Sequence, residues 1–351
     1  MKFSSPLHRI IRTIALSFVA FAFLILAGCG GDAKKTDKKA VTVNDTTAIG
    51  KLIAEVSVKI GQEPGNAVLY HERAKLHMQR MDVGNALLDM GKATELDSTK
   101  ADFFVTLGDA YFASGKPGKA KAALEKCLSI DANNKDAYQK LAELYFYATQ
   151  YKEALGNLDK VIKLDINSSK AYFMKGMCYR DMGDTAKAIS SFQTAIEQKA
   201  DYYDAFLQIA MMHHARNNKL ALQYYDAAIR VNPKSTDAFY GRGLYHQEVE
   251  HDFDKAIQDY TSCVQINKNA IKAHFALGYV HYEYLKVYDQ AIKHYTDAIN
   301  VDPNYAEAIY NRGLCYEALG NIAAAAQDYR RAIDVRKDYP LAKDALARVE
   351  K

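Results

Sequence analysis

The sequence predicts an all-α solenoid of stacked helix pairs behind an N-terminal export segment. Three observations carry this prediction. A small residue, Gly or Ala, recurs at intervals of 33 to 35 residues along most of the chain. Apolar residues around each copy follow spacings of three and four, which place them on one face of a helix. The composition, 49% apolar and 25% charged, is that of a folded protein with an ample core.

The first 29 residues have the pattern of a bacterial export signal. Lys2, Arg9 and Arg12 are followed by an apolar run over 14–26, with no acidic residue among them. This run of thirteen residues, apolar except for Ser17, suits a signal peptide, whereas a membrane-spanning helix needs about 20. The run ends in Leu-Ala-Gly-Cys at Cys29, which resembles the lipobox of bacterial lipoproteins. We therefore predict a signal peptide over 1–28 and lipidation at Cys29, with a plain N-terminal anchor as the alternative.

The lipobox resemblance implies a location as well as an anchor. Several acyl chains hold a protein on a membrane far more durably than one. Gly30 follows the cysteine, and in the lipoproteins that the segment resembles, Asp at this place tends to retain the protein in the inner membrane. The expectation is an outer-membrane lipoprotein that faces the periplasm. Residues 29–47 are small, polar and charged, and predict a flexible tether.

Charge distribution argues against a nucleic-acid partner. The net charge is +4, but the first 40 residues alone carry seven basic and two acidic side chains. The remaining body is therefore nearly neutral. Nucleic-acid-binding proteins concentrate basic charge on the folded body.

The repeated unit predicts two helices joined by a tight turn. Twelve residues after the recurring small residue comes an Ala in most units, followed at a spacing of four by a large apolar residue. Small residues let two helices approach closely, and the large residue fills the space beside them. Gly115, Gly183 and Gly320 lie where the first helix must end. The recurring small residues, called anchors below, are Ala74, Gly108, Ala142, Gly176, Ala210, Gly243, Gly278 and Gly313.

This pattern resembles the tetratricopeptide repeat (TPR). The stretch 306–335 follows the signature of that family, and similar units tile 67–338. The resemblance implies a right-handed superhelical solenoid of about eight helix-turn-helix units. Residues 48–66 then predict an N-terminal capping helix and 339–351 a C-terminal one, which an open solenoid requires. The fifth unit is one residue short, and the sixth and seventh each carry one extra residue.

No arrangement of residues predicts catalysis, a metal or a cofactor. Cys127, Cys178, Cys263 and Cys315 fall at helix-contact positions of the repeat, where cysteine acts as a small apolar residue. Four histidines fall three residues after an anchor, too far apart for one ion to join them. The sequence therefore predicts a protein that is not an enzyme. The four histidines, which we interpret as packing substitutions, are His77, His213, His246 and His281.

The resemblance implies a binding groove lined by the first helix of each unit, at positions three before, one after and four after the anchor. These positions are mixed and polar in units one to three and apolar or aromatic in units four to eight. A solvent-facing row of Phe, Tyr, Met and Leu is unusual for a helix surface and is typical of peptide-binding faces. The predicted partner-binding residues are Phe173, Met177, Leu207, Met211, Tyr240, Leu244, Phe275, Tyr279, Tyr282, Tyr310 and Leu314.

The function predicted from these features is a membrane-anchored scaffold or adaptor that binds a protein or peptide in its concave groove. Three alternatives stay open. The superhelix could bury part of this face against itself, the chain could associate with copies of itself as a structural envelope protein, or the exposed rings could stack on glycan or peptidoglycan.

Overall fold

The computed structural model describes residues 48–351, and the predicted signal peptide, lipidation site Cys29 and tether lie outside them. Lys51–Lys351 form one compact unit. The described residues fold into eighteen α-helices and two π-helical turns, without a strand. The helices are α1 (Ala48–Gln62), α2 (Ala67–Gln79), α3 (Val83–Leu96), α4 (Ala101–Ala113), α5 (Pro117–Ile130), α6 (Lys135–Tyr147), α7 (Tyr151–Leu164), α8 (Ser169–Asp181), α9 (Thr185–Gln198), α10 (Tyr203–His214), α11 (Leu220–Val231), α12 (Thr236–Tyr245), α13 (Phe253–Ile266), α14 (Ile271–Tyr279), α15 (Tyr288–Val301), α16 (Ala306–Ala318), α17 (Ile322–Val335) and α18 (Pro340–Val349).

Helices α2 to α17 pack as eight consecutive pairs within the described chain. Each even-numbered helix packs most extensively on the odd-numbered helix that follows it, and that second helix then packs on the next pair. Contacts run between neighbours along the chain, which is the definition of a solenoid. The predicted all-α solenoid of helix pairs is confirmed.

Each pair turns through one residue in the left-handed backbone region. Gly115, Gly183 and Gly320 have φ of 71°, 82° and 78°, as their predicted place at the end of the first helix requires. The other five turns use residues with a side chain at φ between 52° and 59°. Sequence reasoning recognised only the glycine turns because only glycine adopts this conformation without strain. The five other residues are Met81, Thr149, Asn217, His251 and Lys286.

The core of each repeat is a small anchor facing a large side chain of the second helix. A Cβ atom added to Gly278 would lie 2.8 Å from the ring of Tyr295, and one added to Gly313 would lie 2.7 Å from the ring of Tyr329. Both tyrosines are fully buried. Where the anchor is alanine, as at Ala142, the core cluster holds the smaller Leu158. In units seven and eight the glycine anchor thus leaves the space that a tyrosine ring fills, whereas in unit three an alanine and a leucine share it.

The irregular lengths of units five to seven appear as changes at the end of the first helix. The extra residue of units six and seven is accommodated in the π-helical turns His246–Glu250 and Val280–Tyr284, which continue α12 and α14. In unit five, which is one residue short, α10 and α11 have 12 residues each and the connection between them, 215–219, is longer than in units one to four. A π turn takes up one residue without breaking the helix. No helix among residues 48–351 combines the length and apolar character needed to cross a bilayer.

Candidate binding surface

The predicted partner-binding residues lie on the first helices of units four to eight. Ten of the eleven are half-buried, and Met211 is 38% exposed. Nine of them pack against buried core clusters. The row therefore contributes to the core on its inner side and remains partly open to solvent on its outer side. By helix, it comprises Phe173 and Met177 on α8, Leu207 and Met211 on α10, Tyr240 and Leu244 on α12, Phe275 and Tyr279 on α14, Tyr282 in the following π turn, and Tyr310 and Leu314 on α16.

Residues three before the anchor join neighbouring repeats. The ring of Phe173 stacks on Tyr202, with 5.0 Å between ring centroids, and Phe275 lies 5.2 Å from Tyr305. In each case the second ring belongs to the residue immediately before the first helix of the next unit. Aromatic pairs at this separation contribute about 0.5–1.5 kcal/mol beyond their buried area. A main role of Phe173 and Phe275 is thus to hold adjacent repeats together.

Tyr279 occupies a different environment from these packing residues. Its ring meets Tyr284 edge-on at 5.8 Å, and Tyr284 in turn stacks on Phe253 at 4.1 Å. Tyr284 is 39% exposed. Burial raises the pKa of the Tyr279 hydroxyl to about 12, so the group stays protonated and can donate a hydrogen bond. Tyr279, Tyr284 and Phe253, called the π-turn aromatic cluster below, present rings from units six and seven together.

Tyr282 does not follow the α-helical spacing from which its direction was predicted. It lies inside the π turn Val280–Tyr284, which has more than 3.6 residues per turn. Its ring packs near Tyr288 at 5.9 Å and against the core cluster of units seven and eight. The neighbouring Tyr284 is more exposed instead, and sequence reasoning missed it because nothing in the sequence marks a π turn apart from the extra residue.

A second exposed aromatic pair lies in units two and three. Phe112 at the end of α4 and Tyr147 at the end of α6 are 41% and 62% exposed, and their ring centroids are 5.6 Å apart. Phe146 contacts Tyr147 and Tyr151 at 5.8 Å. Tyr147 falls five residues after its anchor, outside the positions that the family resemblance marks. Its size and its place at the helix end are the only signal that sequence reasoning had.

The polar positions of units two to four satisfy one another. Lys140 lies 3.1 Å from Asp109 and 3.9 Å from Glu143, and Lys170 lies 2.6 Å from Glu143. Burial raises the pKa of the Asp109 carboxyl despite the nearby Lys140. The two carboxylates and two ammonium groups balance in charge. These four groups therefore leave no net charge at this place that would select a strongly charged partner.

A cavity of about 320 Å³, open to solvent, lies between units five and six. The charged groups around it are already paired: Arg242 donates to Asp259 through Nε and Nη2 at 2.9 and 2.6 Å, and to Asp226 through Nη1 at 2.5 Å. Such a network has an internal structural role. The cavity is lined by Leu222, Asp226, Arg242, His246, Lys255, Gln258 and Asp259.

The four cysteines of the described chain are buried free thiols, each in a different repeat. Burial raises the pKa of Cys127 to about 11 and the pKa values of Cys178, Cys263 and Cys315 to about 12. Thiols with such pKa values are poor nucleophiles at neutral pH. Their environment is that of apolar packing residues.

The histidines three residues after the anchor meet the second helix of their own unit. His77 Nε2 lies 3.8 Å from Asp89, and His246 Nε2 lies 4.0 Å from Asp259. His281 instead stacks on His294, with ring planes 7° apart and centroids at 5.4 Å. Unit seven thus has a histidine where units one and six have a buried aspartate.

Comparisons with known protein families identify the repeat. Tetratricopeptide repeat models match residues 101–134, 285–320 and 306–339, and a model of anaphase-promoting complex, cyclosome, subunit 3 matches 122–195. The matched stretches cover less than half of the chain and fall in both halves of the solenoid. The chain contains tetratricopeptide repeats. No curated protein matches its sequence.

Solved structures share the fold. The C-terminal part of a TPR repeat-containing protein from Cytophaga hutchinsonii matches 69% of this chain and 99% of its own length, at 17% identity and a TM-score of 0.60. PilF of Pseudomonas aeruginosa matches 61% of this chain and 96% of its own length, at 17% identity and a TM-score of 0.52. YrrB, described as a TPR protein with an unusual peptide-binding site, is 28% identical over 53% of this chain and 97% of its own, with a TM-score of 0.42. At these levels the first two matches show a common solenoid fold.

Proposed function

We propose that the protein is a non-enzymatic, membrane-anchored scaffold that binds a protein or peptide along the first helices of units four to eight. The observation that carries the proposal is the partly exposed apolar and aromatic row on those helices, from Phe173 to Leu314. Exposed helix faces in solenoids are polar unless something contacts them. An extended or helical peptide fits the repeated spacing of such a row.

We expect the bound protein or peptide to contact those residues of the row that are least involved in packing between repeats. The rings of Phe173 and Phe275 contact aromatic residues of the next repeat, and the ring of Tyr310 contacts Tyr339 at the start of the C-terminal helix, so all three are engaged in packing between neighbouring units. Met211 and Tyr279 are more available, because neither is among the row residues that pack against a buried core cluster and Met211 is 38% exposed. Methionine and tyrosine suit this use, since one adapts its shape and the other combines an apolar ring with a hydrogen-bonding tip.

Attachment to the membrane through Cys29 is part of the proposal. The charged start, short apolar run and Leu-Ala-Gly-Cys sequence support lipidation, and Gly30 supports the outer membrane with the solenoid in the periplasm. Replacement Cys29→Ser tests this part. We expect the variant to leave the membrane fraction while the solenoid keeps its helical circular dichroism. Membrane retention equal to that of the wild type would refute lipidation as the anchor.

In-cell photo-crosslinking tests the binding surface. A photoreactive residue is placed at Tyr279, and the matched control carries it at Lys293, an exposed residue on the second helix of the same unit. A discrete crosslinked band from Tyr279 alone supports the proposal, and mass spectrometry then identifies the partner. Equal bands from both sites, or none, would refute it.

The alternatives give different outcomes in the same experiment. A ladder at multiples of the chain's own mass, matched by light scattering, would indicate self-association instead of a scaffold. Absence of a protein band together with binding of peptidoglycan fragments, lost in Tyr279→Ala, would indicate a glycan-binding accessory protein. Each of these results replaces the proposed peptide groove by a different occupant.

A further inference from the structure

Unit seven departs from its neighbours where a buried ion pair would be expected. In unit eight, Arg312 donates two hydrogen bonds of 2.8 Å to the buried carboxylate of Asp328. The same pairing joins Arg73 to Asp89 in unit one and Arg242 to Asp259 in unit six. The equivalent residues of unit seven are Leu277 and His294. The recurrent ion pair is therefore replaced by an imidazole in this unit.

Two further polar side chains converge on that imidazole. One ligand atom each of His274, His294 and Asp297 lies within 4.8 Å of the other two. Nδ1 of His274 is 3.8 Å from Oδ2 of Asp297. His294 and Asp297 are three residues apart on α15 and so share a face, and His274 comes from α14. The cluster thus lies between the two helices of one repeat.

The hydrogen bonding of His274 fixes which ring nitrogen is free. Its Nε2 lies 3.0 Å from the backbone carbonyl of Lys268, and a carbonyl can only accept, so Nε2 carries the proton. In the neutral ring Nδ1 then has a bare lone pair. His274 is 6% exposed, and its Nδ1 has no hydrogen-bond partner. A histidine that donates its other N–H to a backbone carbonyl is the usual arrangement at a metal.

His294 and His281 show the same deficiency. Nδ1 of each is buried without a hydrogen-bond partner. Burying an unsatisfied polar nitrogen costs about 1–3 kcal/mol, and a ligand that accepts the lone pair of His274 Nδ1 would remove that cost at this ring. The parallel stacking of His281 on His294 presents the face of its ring to its neighbour, and His281 lies outside the convergent donor group.

We propose that His274, His294 and Asp297 bind a Zn²⁺ ion between α14 and α15. Two imidazoles and one carboxylate are donors that zinc accepts, at about 2.0–2.2 Å from the ion. Tetrahedral ligands at that distance are about 3.4 Å apart, so the donors, which lie within 4.8 Å of one another, must approach by at most about 1.4 Å. Three protein ligands leave the fourth position to water or to a group from a partner.

Zinc titration of the full-length purified protein tests the site. Isothermal titration with zinc chloride is expected to show one ion bound per chain, with no binding of magnesium, which prefers oxygen ligands. Asp297→Asn and His294→Gln are expected to weaken zinc affinity at least tenfold. The matched control is Asp289→Asn, an exposed carboxylate near the start of the same helix, whose zinc affinity is expected to equal that of the wild type.

Two further readouts keep the result independent of folding defects. Zinc should raise the melting temperature of the wild type and of Asp289→Asn but not of Asp297→Asn, whose circular dichroism confirms that it folds. X-ray absorption should show nitrogen and oxygen ligands alone. Absence of zinc binding, wild-type affinity in both ligand variants, or sulfur ligands from the buried cysteines would overturn the proposal.

Discussion

The close contact between Gly278 and the ring of Tyr295 allows a direct test of how the repeat core packs. A Cβ atom at this position would lie 2.8 Å from Cδ1 and Cε1 of Tyr295 and 3.0 Å from its Cζ. Carbon atoms in good contact lie about 3.5–4.0 Å apart, so the ring or the helix must move by about 0.7 Å. Tyr295 is fully buried and packs on Phe275 at 5.5 Å, so its ring has little space to move.

The magnitude follows from two opposing effects. Glycine to alanine in a helix gains about 1 kcal/mol of helix propensity, whereas overpacking costs about 1–3 kcal/mol. We expect Gly278→Ala to lower the free energy of unfolding by about 1 kcal/mol and Gly278→Leu by about 3 kcal/mol or more. The control is Gly156→Ala in α7, where no atom lies within 4 Å of the added carbon, and a gain of about 1 kcal/mol is expected.

A compensating change tests the reasoning rather than the position alone. Tyr295→Leu in the Gly278→Ala background recreates the pairing of Ala142 with Leu158 in unit three. Tyr295→Leu alone leaves a cavity beside the glycine, although it also removes a buried hydroxyl that lacks a hydrogen-bond partner. We expect the two changes to couple favourably by about 1–2 kcal/mol. Urea unfolding followed by circular dichroism compares the wild type with the two single variants and the double variant. Additive effects, or a Gly278→Ala variant as stable as Gly156→Ala, would refute the assigned packing.

Three other predictions concern the turn at Thr149, the ion pair between Arg312 and Asp328, and the partly buried His214. Thr149 has a β-branched side chain at φ 58°, so Thr149→Gly should raise the unfolding free energy by about 1 kcal/mol in urea melts. Gly183→Thr, at the equivalent turn, should lower it by a similar amount. Arg312→Met should lower it by about 3 kcal/mol, because Asp328, with its side chain 5% exposed, would keep a buried unpaired charge; a double-mutant cycle with Asp328→Asn checks the coupling. Burial lowers the pKa of His214 to about 4, so the unfolded chain, with a histidine pKa near 6.5, binds more protons between those values. Stability should therefore fall by up to about 3 kcal/mol as the pH drops from 6.5 to 4, and melting curves of His214→Gln should show a weaker dependence.

The fold was predictable because its information is repeated. A single unit with Gly, Ala and one large apolar residue is ambiguous, but eight copies at a period of 33 to 35 residues specify the pairing of α2 to α17. The length changes were also visible in the sequence, although their form was not. An extra residue can extend a loop or enter a helix, and in units six and seven it enters the π turns that continue α12 and α14. The strained turns at Met81 and Thr149 were hidden because neither residue favours that conformation.

The surface was less predictable than the fold because side-chain direction depends on neighbouring repeats. Phe275 stands at a predicted groove position, yet its ring packs against that of Tyr305, the residue just before the first helix of the next unit. The histidine cluster was also not predictable, because its members meet only through the packing of two helices. His274 and His294 are twenty residues apart in no recognised ligand spacing, and the free lone pair of His274 depends on a backbone carbonyl at Lys268. A repeat pattern specifies which positions are small and which are large, whereas chemistry arises where one unit departs from that pattern, as Leu277 and His294 depart from the Arg–Asp pair of units one, six and eight.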